Sequence, residues 1–308
     1  MKHLIGIKDL SIPEISSILE LGEIYREKLL KDKSSISKDL NGKVVLSLFF
    51  EPSTRTRISF EIAASLLGAT VVNFSENVSS VQKGESRLDT LKTIEAMNVD
   101  VAVIRSSISG LPYLLARDLD RIRIVNAGDG AHEHPSQALL DALTMKIKFG
   151  DLKKVRLAIV GDILFSRVAR SNILLMNKFG NSVMIYGPTT LVPKEIQKIG
   201  DVKIAKNFDE VIEYANVIML LRIQTERQNS SFVPSTREYK KFWGLTEDKL
   251  RSCSKEILIM HPGPVNRDVE VASDMVYSDK SLILDQVTSG VAVRMSILYH
   301  LFNSTPNS

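Results

Sequence analysis

The 308-residue chain has one cysteine, Cys253. That excludes an intrachain disulfide and a multi-cysteine metal site, and suits a reducing compartment such as the cytoplasm. No apolar run comes near the roughly 18 residues of a membrane-spanning helix. The start, Met1-Lys2-His3-Leu4-Ile5, soon meets Lys8 and Asp9, so no signal peptide is expected. Lys and Arg number 40 against 36 Asp and Glu, but they are dispersed. With no basic block and no aromatic-interleaved basic motif, nucleic acid is an unexpected partner. His132 and His134 lack the further ligands of a metal site. Val160-Gly161-Asp162 opens like a dinucleotide-binding turn, but Ile163-Leu164-Phe165-Ser166-Arg167 supplies none of the further glycines that turn needs. No metal, NAD(P) or other cofactor is expected.

What is present is an alternation of short apolar runs and amphipathic stretches, in a chain long enough for two domains. The first half reads as a helix over 11–31 with Ser11 as N-cap and Pro13 in its first turn. Strands follow at 44–50, 70–74, 101–104 and 122–126, and helices at 58–67, 88–97, 111–119 and 136–148. A second series begins near Lys154, with strands at 155–160, 182–186, 202–205, 217–221 and 257–260. Its helices are read at 167–179, at 193–199, after an Asn207 cap with Glu210 three residues on, and at 291–302 after Ser289-Gly290. The strands of the first half read as buried on both sides, which suits a parallel sheet flanked by helices, and the second series has the same architecture. The fold class expected is α/β, with two similar domains hinged near Phe149-Gly150-Asp151 and joined by interdomain helices.

The richest chemistry lies in Glu51-Pro52-Ser53-Thr54-Arg55-Thr56-Arg57, between a strand and a helix. The first N–H groups of a helix have no intrahelical partner, and the dipole favours an anion there. The hydroxyls and two arginines add donors suited to phosphate. Other polar residues also follow strands, where open α/β sheets gather ligands. Arg105, Arg167 and Arg222 each follow a strand, and so does His261-Pro262-Gly263-Pro264. His134 alone would read as a structural hydrogen-bonder; beside Pro135 and Gln137, after a Gly-rich turn, it reads as a site residue. Glu51 and Asp162 are expected to orient arginines, His261 to shape its loop and His132 to be surface or support. Arg227 divides evenly between loop brace and site. This repetition describes a pocket for two anionic molecules.

Ser53-Thr54-Arg55-Thr56-Arg57, Lys83-Gly84-Glu85, His134-Pro135-Ser136-Gln137, Arg222-Ile223-Gln224-Thr225-Glu226-Arg227 and His261-Pro262-Gly263-Pro264 occur in the order found in the aspartate/ornithine carbamoyltransferase family, which the chain resembles over nearly its whole length. Ornithine-type members carry His-Cys-Leu-Pro and a Ser-Met-Gly loop. This chain has Pro262 at the cysteine position and no Ser-Met-Gly, so it looks like the aspartate branch. The resemblance implies carbamoyl transfer from carbamoyl phosphate to L-aspartate, the committed step of de novo pyrimidine biosynthesis. It implies a carbamoyl-phosphate-binding domain of residues 1–150 plus 287–308 and an aspartate-binding domain of residues 151–286.

By the same resemblance, Ser53, Thr54, Arg55 and Thr56 hold phosphate, and Arg105 bridges phosphate and carbonyl oxygen. Thr56, Arg105 and His134 polarise the carbonyl, and Gln137 orients the carbamoyl NH2. Arg167 takes the α-carboxylate, Arg222 and Gln224 take the β-carboxylate, and Gly263 and Pro264 offer backbone to the reacting centre. Ser79 and Lys83 reach a neighbouring subunit's site, implying a homotrimer with shared active sites; Ser80 competes with Ser79 for this place. The stretch 222–235 is the expected mobile loop. Whether zinc-bearing regulatory chains join the trimer stays open. Two other readings remain: a carbamoyltransferase with another acceptor amine, and a non-catalytic regulatory or nucleic-acid-binding relative.

Overall fold

The computed structural model describes residues 1–74, 87–223, 235–251, 253 and 255–303. Two compact units emerge, Met1–Leu143 with Thr288–Ser308, and Thr144–Val287. No helix among the described residues is long and apolar enough to cross a membrane.

In the first unit, α1 (Ile12–Lys31) opens with a complete capping box, Ser11 and Glu14 each bonding the other's backbone N–H. Then come β1 (Val44–Phe49), α2 (Thr54–Leu66), β2 (Thr70–Phe74), α3 (Arg87–Ala96), β3 (Val101–Ser106), α4 (Leu111–Asp118) and β4 (Arg123–Asp129). The four strands pair in parallel in the order β2-β1-β3-β4. Leu46, Leu48, Ala102, Ile104 and Ile124 pack with Leu91 and Leu115 from α3 and α4 in one apolar cluster. Chain order reverses direction between β1 and β3, and open α/β sheets gather ligands in the crevice beyond the carboxyl ends at such a reversal.

Helix α5 (Pro135–Phe149) leads the chain towards the second unit. There β5 (Leu157–Val160), α6 (Arg167–Lys178), β6 (Val183–Tyr186), β7 (Val202–Ile204), α7 (Phe208–Tyr214), β8 (Val217–Leu220), α8 (Thr236–Phe242), α9 (Glu247–Arg251) and β9 (Leu258–Met260) follow one another, and the five strands form a parallel sheet in the order β7-β6-β5-β8-β9. Here the reversal lies between β5 and β8. Strands approach closely at that point: a Cβ on Gly161, whose φ is +132°, would sit 2.6 Å from the Leu221 carbonyl oxygen. Helix α10 (Ile283–Asn303) ends the described chain.

The α/β class with two parallel sheets stands as expected. Three local expectations do not. Helix α2 begins at Thr54 rather than at 58, because its polar first turn carries none of the apolar spacing that marks the rest. Helix α10 begins at Ile283 rather than at 291 and runs through Ser289-Gly290. Gly290 has no capping role there; a Cβ on it would lie 2.6 Å from Nη1 of Arg294, so glycine makes room for a buried guanidinium. Strand β2 is not buried on both sides, since it is an edge strand with Val72 exposed. The short polar helices α8 and α9 gave no periodic signal.

Candidate active site

In the first unit, Ser53 is the N-cap of α2, yet its side chain makes no capping hydrogen bond, and the first turn holds no acidic residue. A helix start with donors and no acidic residue of its own can receive an anion. Thr54 and Arg55 are exposed there and Thr56 is buried. Arg57 is turned away to Glu61, at 3.5 Å on the same helix. Arg105 lies across the crevice on β3, at the point where the β3–β4 register shifts. Such irregularities re-aim side chains beside functional sites. Its Nη2 donates to Glu51 Oε1 and its Nη1 to the Ala127 carbonyl, both at 3.0 Å. Glu51 thus fixes the arginine's direction, and the fork is tied to both the Ser53 turn and the end of β4.

His134 and Gln137 lie at the start of α5, and both are buried. The Ser136 hydroxyl is 3.4 Å from His134 Nδ1. If Nδ1 accepts that bond, the ring proton sits on Nε2, the tautomer that can donate to a carbonyl oxygen. Gln137 Nε2 donates to the fully buried Asp141 at 3.0 Å.

The turn that delivers His134 is braced by Asp129. This carboxylate accepts from Asn126 Nδ2 at 2.8 Å, Gly110 N at 2.6 Å and Glu133 N at 3.1 Å. His132 Nδ1 is 3.0 Å from its Oδ2. Burial pushes the Asp129 carboxyl up, but the hydrogen bonds from His132, Gly110 and Asn126 outweigh it and hold the pKa below the usual carboxylate value. The same bond raises the His132 pKa against the opposing effect of burial. Glu133 in turn accepts from Ile7 N at 2.7 Å.

In the second unit, Arg167 is the first residue of α6 and is buried; Ser166 caps the helix by accepting from Ala169 N at 3.1 Å. Arg222 follows β8 across the reversal point and is half-buried. Gly263-Pro264 is a cis peptide after β9. His261 shapes that turn, accepting from Gly263 N at 2.8 Å through Nδ1 while its own N–H donates to Gln286 Oε1 at 2.9 Å. Asp162 is fully buried and accepts from Phe165 N at 3.1 Å. Glu270 joins the two segments beside the reversal: it accepts from Ile223 N at 3.3 Å and from the backbone and side-chain N–H groups of Asn266 at 3.0 and 2.9 Å. Its burial raises its pKa despite those bonds.

Thus the first unit gathers Ser53, Thr54, Arg55, Thr56, Arg105, His134 and Gln137 at the carboxyl edge of one sheet, and the second gathers Arg167, Arg222, Gly263 and Pro264 at the carboxyl edge of the other. Ser79, Lys83, Gln224, Arg227 and most of the 222–235 loop lie outside the described residues. The braces Asp129, Asp141 and Glu270 were not singled out in the sequence.

Residues 2–147 match the carbamoyl-P binding domain of aspartate/ornithine carbamoyltransferases, and residues 153–301 match their Asp/Orn binding domain. The chain belongs to the aspartate/ornithine carbamoyltransferase family. Within it, the chain is 49% identical to the aspartate carbamoyltransferase catalytic subunit of Syntrophus aciditrophicus, covering 97% of both chains. It is 50% identical to that of Caldanaerobacter subterraneus subsp. tengcongensis, covering 96% of both. Among solved structures it is similar to aspartate transcarbamoylase from Trypanosoma cruzi in complex with N-(phosphonacetyl)-L-aspartic acid. That similarity has a TM-score of 0.87 at 28% identity, covering 97% of this chain and 95% of the other.

Proposed function

We propose that this carbamoyltransferase moves the carbamoyl group of carbamoyl phosphate to the α-amine of L-aspartate, giving N-carbamoyl-L-aspartate and phosphate in de novo pyrimidine biosynthesis. The observation that carries the reading is the anion-ready start of α2 facing an arginine that Glu51 and Ala127 aim across the same crevice. Ser53, Thr54, Arg55 and Thr56 hold the phosphate. Arg105 spans phosphate and carbonyl oxygen, and Thr56 and His134 join it in polarising that oxygen. Gln137 accepts from the carbamoyl NH2. Residues 1–150 plus 287–308 bind carbamoyl phosphate in this reading, and residues 151–286 bind aspartate. There Arg167 takes the α-carboxylate, Arg222 and Gln224 the β-carboxylate, and the Gly263-Pro264 backbone meets the reacting centre.

The neutral amine attacks the carbonyl carbon, and a C–N bond forms as an oxyanion develops. The intermediate then collapses with cleavage of the C–O bond to phosphate. The departing phosphate takes the amine proton. No covalent enzyme intermediate is required, because the acyl phosphate is already activated. Catalysis is positioning plus preorganised electrostatics.

The working assembly is a cytoplasmic homotrimer in which Ser79 and Lys83 of one chain complete a neighbour's site. Exposed Ile58 and Ile62 on α2 and Val72 on edge strand β2 support a subunit contact on that side of the first unit. The deciding assay is formation of N-carbamoyl-aspartate by the purified chain alone, with L-ornithine run in parallel. Turnover with aspartate only is expected. Turnover only with ornithine or another amine would replace the acceptor. Turnover that needs zinc-bearing regulatory chains would make them obligatory partners.

A further inference from the structure

We propose that Arg294 is a positioning residue for the carbamoyl-binding amide of Gln137, acting through Asp141. The inference rests on the role assigned to Gln137 above. A glutamine amide has a donor end and an acceptor end. To accept from a carbamoyl NH2, Gln137 must present its carbonyl oxygen and turn its own NH2 away. An ionised carboxylate can only accept, so Asp141 captures the NH2 end, which donates to Oδ1 at 3.0 Å. Asp141 has no exposed surface. A carboxyl group so buried would take up a proton unless a cation stood near it. Once protonated it could donate, and the amide would lose its preference.

Arg294 on α10 supplies the cation: a Cβ on Gly290 would lie 2.6 Å from its Nη1 and 3.3 Å from Leu140 Cδ2, which sets the guanidinium beside the residue next to Asp141. It is 4% exposed, and Asp141 is the charged group acting on it. Burial draws its pKa down to about 10 against the pull of Asp141. Its guanidinium also lies over the Phe60 ring, 5.0 Å from the centroid. Phe60 belongs to α2, the helix whose first turn receives the phosphate. One side chain of the last helix therefore touches the phosphate helix and sets its charge near the carboxylate that orients the amide. Gly290, one turn earlier on α10, leaves the space. The Arg294 Nε atom has no hydrogen-bond partner among the described residues. A structural arginine would rarely be buried with a donor unsatisfied, which favours a role for its charge.

The test is steady-state kinetics of the purified enzyme carrying Arg294→Met, Arg294→Lys, Gln137→Ala and the double substitution Gln137→Ala/Arg294→Met. Arg294→Met should lower kcat/KM for carbamoyl phosphate by about 10- to 10²-fold, with the KM for aspartate little changed. Arg294→Lys should restore most of that loss. The double variant should be no worse than Gln137→Ala, because both act on one amide. If the two losses multiply, or if Arg294→Met is active but only less heat-stable, the positioning role is wrong and the Gln137 assignment stands. If Gln137→Ala itself leaves carbamoyl-phosphate kinetics unchanged, that assignment falls and takes the inference with it. Should Arg294→Met fail to fold, Gly290→Ala crowds the same guanidinium and carries the same prediction.

Discussion

Two arginines lie two positions apart in Ser53-Thr54-Arg55-Thr56-Arg57 and have different expected fates. Arg57 pairs with Glu61 along the helix surface, a contact of a few tenths of a kcal/mol. Arg55 stands at the uncapped first turn and Arg105 faces it from β3. Arg55→Ala and Arg105→Ala should each lose about 10²–10³ in turnover, the usual effect of removing one donor to a developing oxyanion. Arg57→Ala should stay within a few-fold of the parent. Steady-state rates of the three variants check this, and near-normal turnover in both of the first two would refute the site. His132 makes a different kind of statement. Its pKa is raised above 6.5 by the hydrogen bond to Asp129, so the folded state holds this proton more tightly than the unfolded chain. The stabilisation is complete below 6.5 and is lost as pH rises through the raised value. His132 is partly exposed, so the effect should stay under about 1 kcal/mol. The gap in melting temperature between the parent and His132→Ala should be widest below about pH 6.5 and narrow as pH rises above it; a pH-independent gap would remove the ion pair from the account.

At the scale of elements, the two helix starts assigned to the substrates behave differently. Ser166 caps α6 through Ala169 N, whereas Ser53 caps nothing at α2. Ser166→Ala should therefore cost about 1 kcal/mol in urea unfolding. Ser53→Ala should cost far less, and its effect should appear as weaker inhibition by inorganic phosphate. Equal stability losses would mean that Ser53 is an ordinary cap. This contrast also marks how far the sequence was legible. A phosphate turn is a local pattern of hydroxyls and arginines, so it could be read directly, as could the strands that present Arg105, Arg167 and Arg222. The braces could not. Glu270 meets Ile223 across 47 residues, and Ile7 meets Glu133 across 126. Nothing local distinguishes such an acid from one at the surface. The start of helix α10 was missed for a related reason: Gly290 follows helix-breaking logic locally, and its place inside a helix is explained by Arg294 and Leu140, which crowd the space a Cβ would take.

At the scale of the whole molecule, the reading requires more than one chain. Lys83 and Arg55 are assigned to one substrate pair but contributed by neighbouring chains, so each single variant should be nearly inactive as a pure trimer. A mixture gives a different result. After dissociation and reassembly of equal amounts of Lys83→Ala and Arg55→Ala chains, a site is intact wherever a chain with a normal Arg55 adjoins one with a normal Lys83. Cyclic symmetry makes the three interfaces equivalent, so roughly a quarter of all sites should be restored under random assembly. Recovered activity should rise with mixing and peak at equal proportions, because intact sites need both chain types. Hybrid trimers verified by mass but without activity would place both residues in the same chain's site, and the trimer would then have to be explained by stability rather than by catalysis.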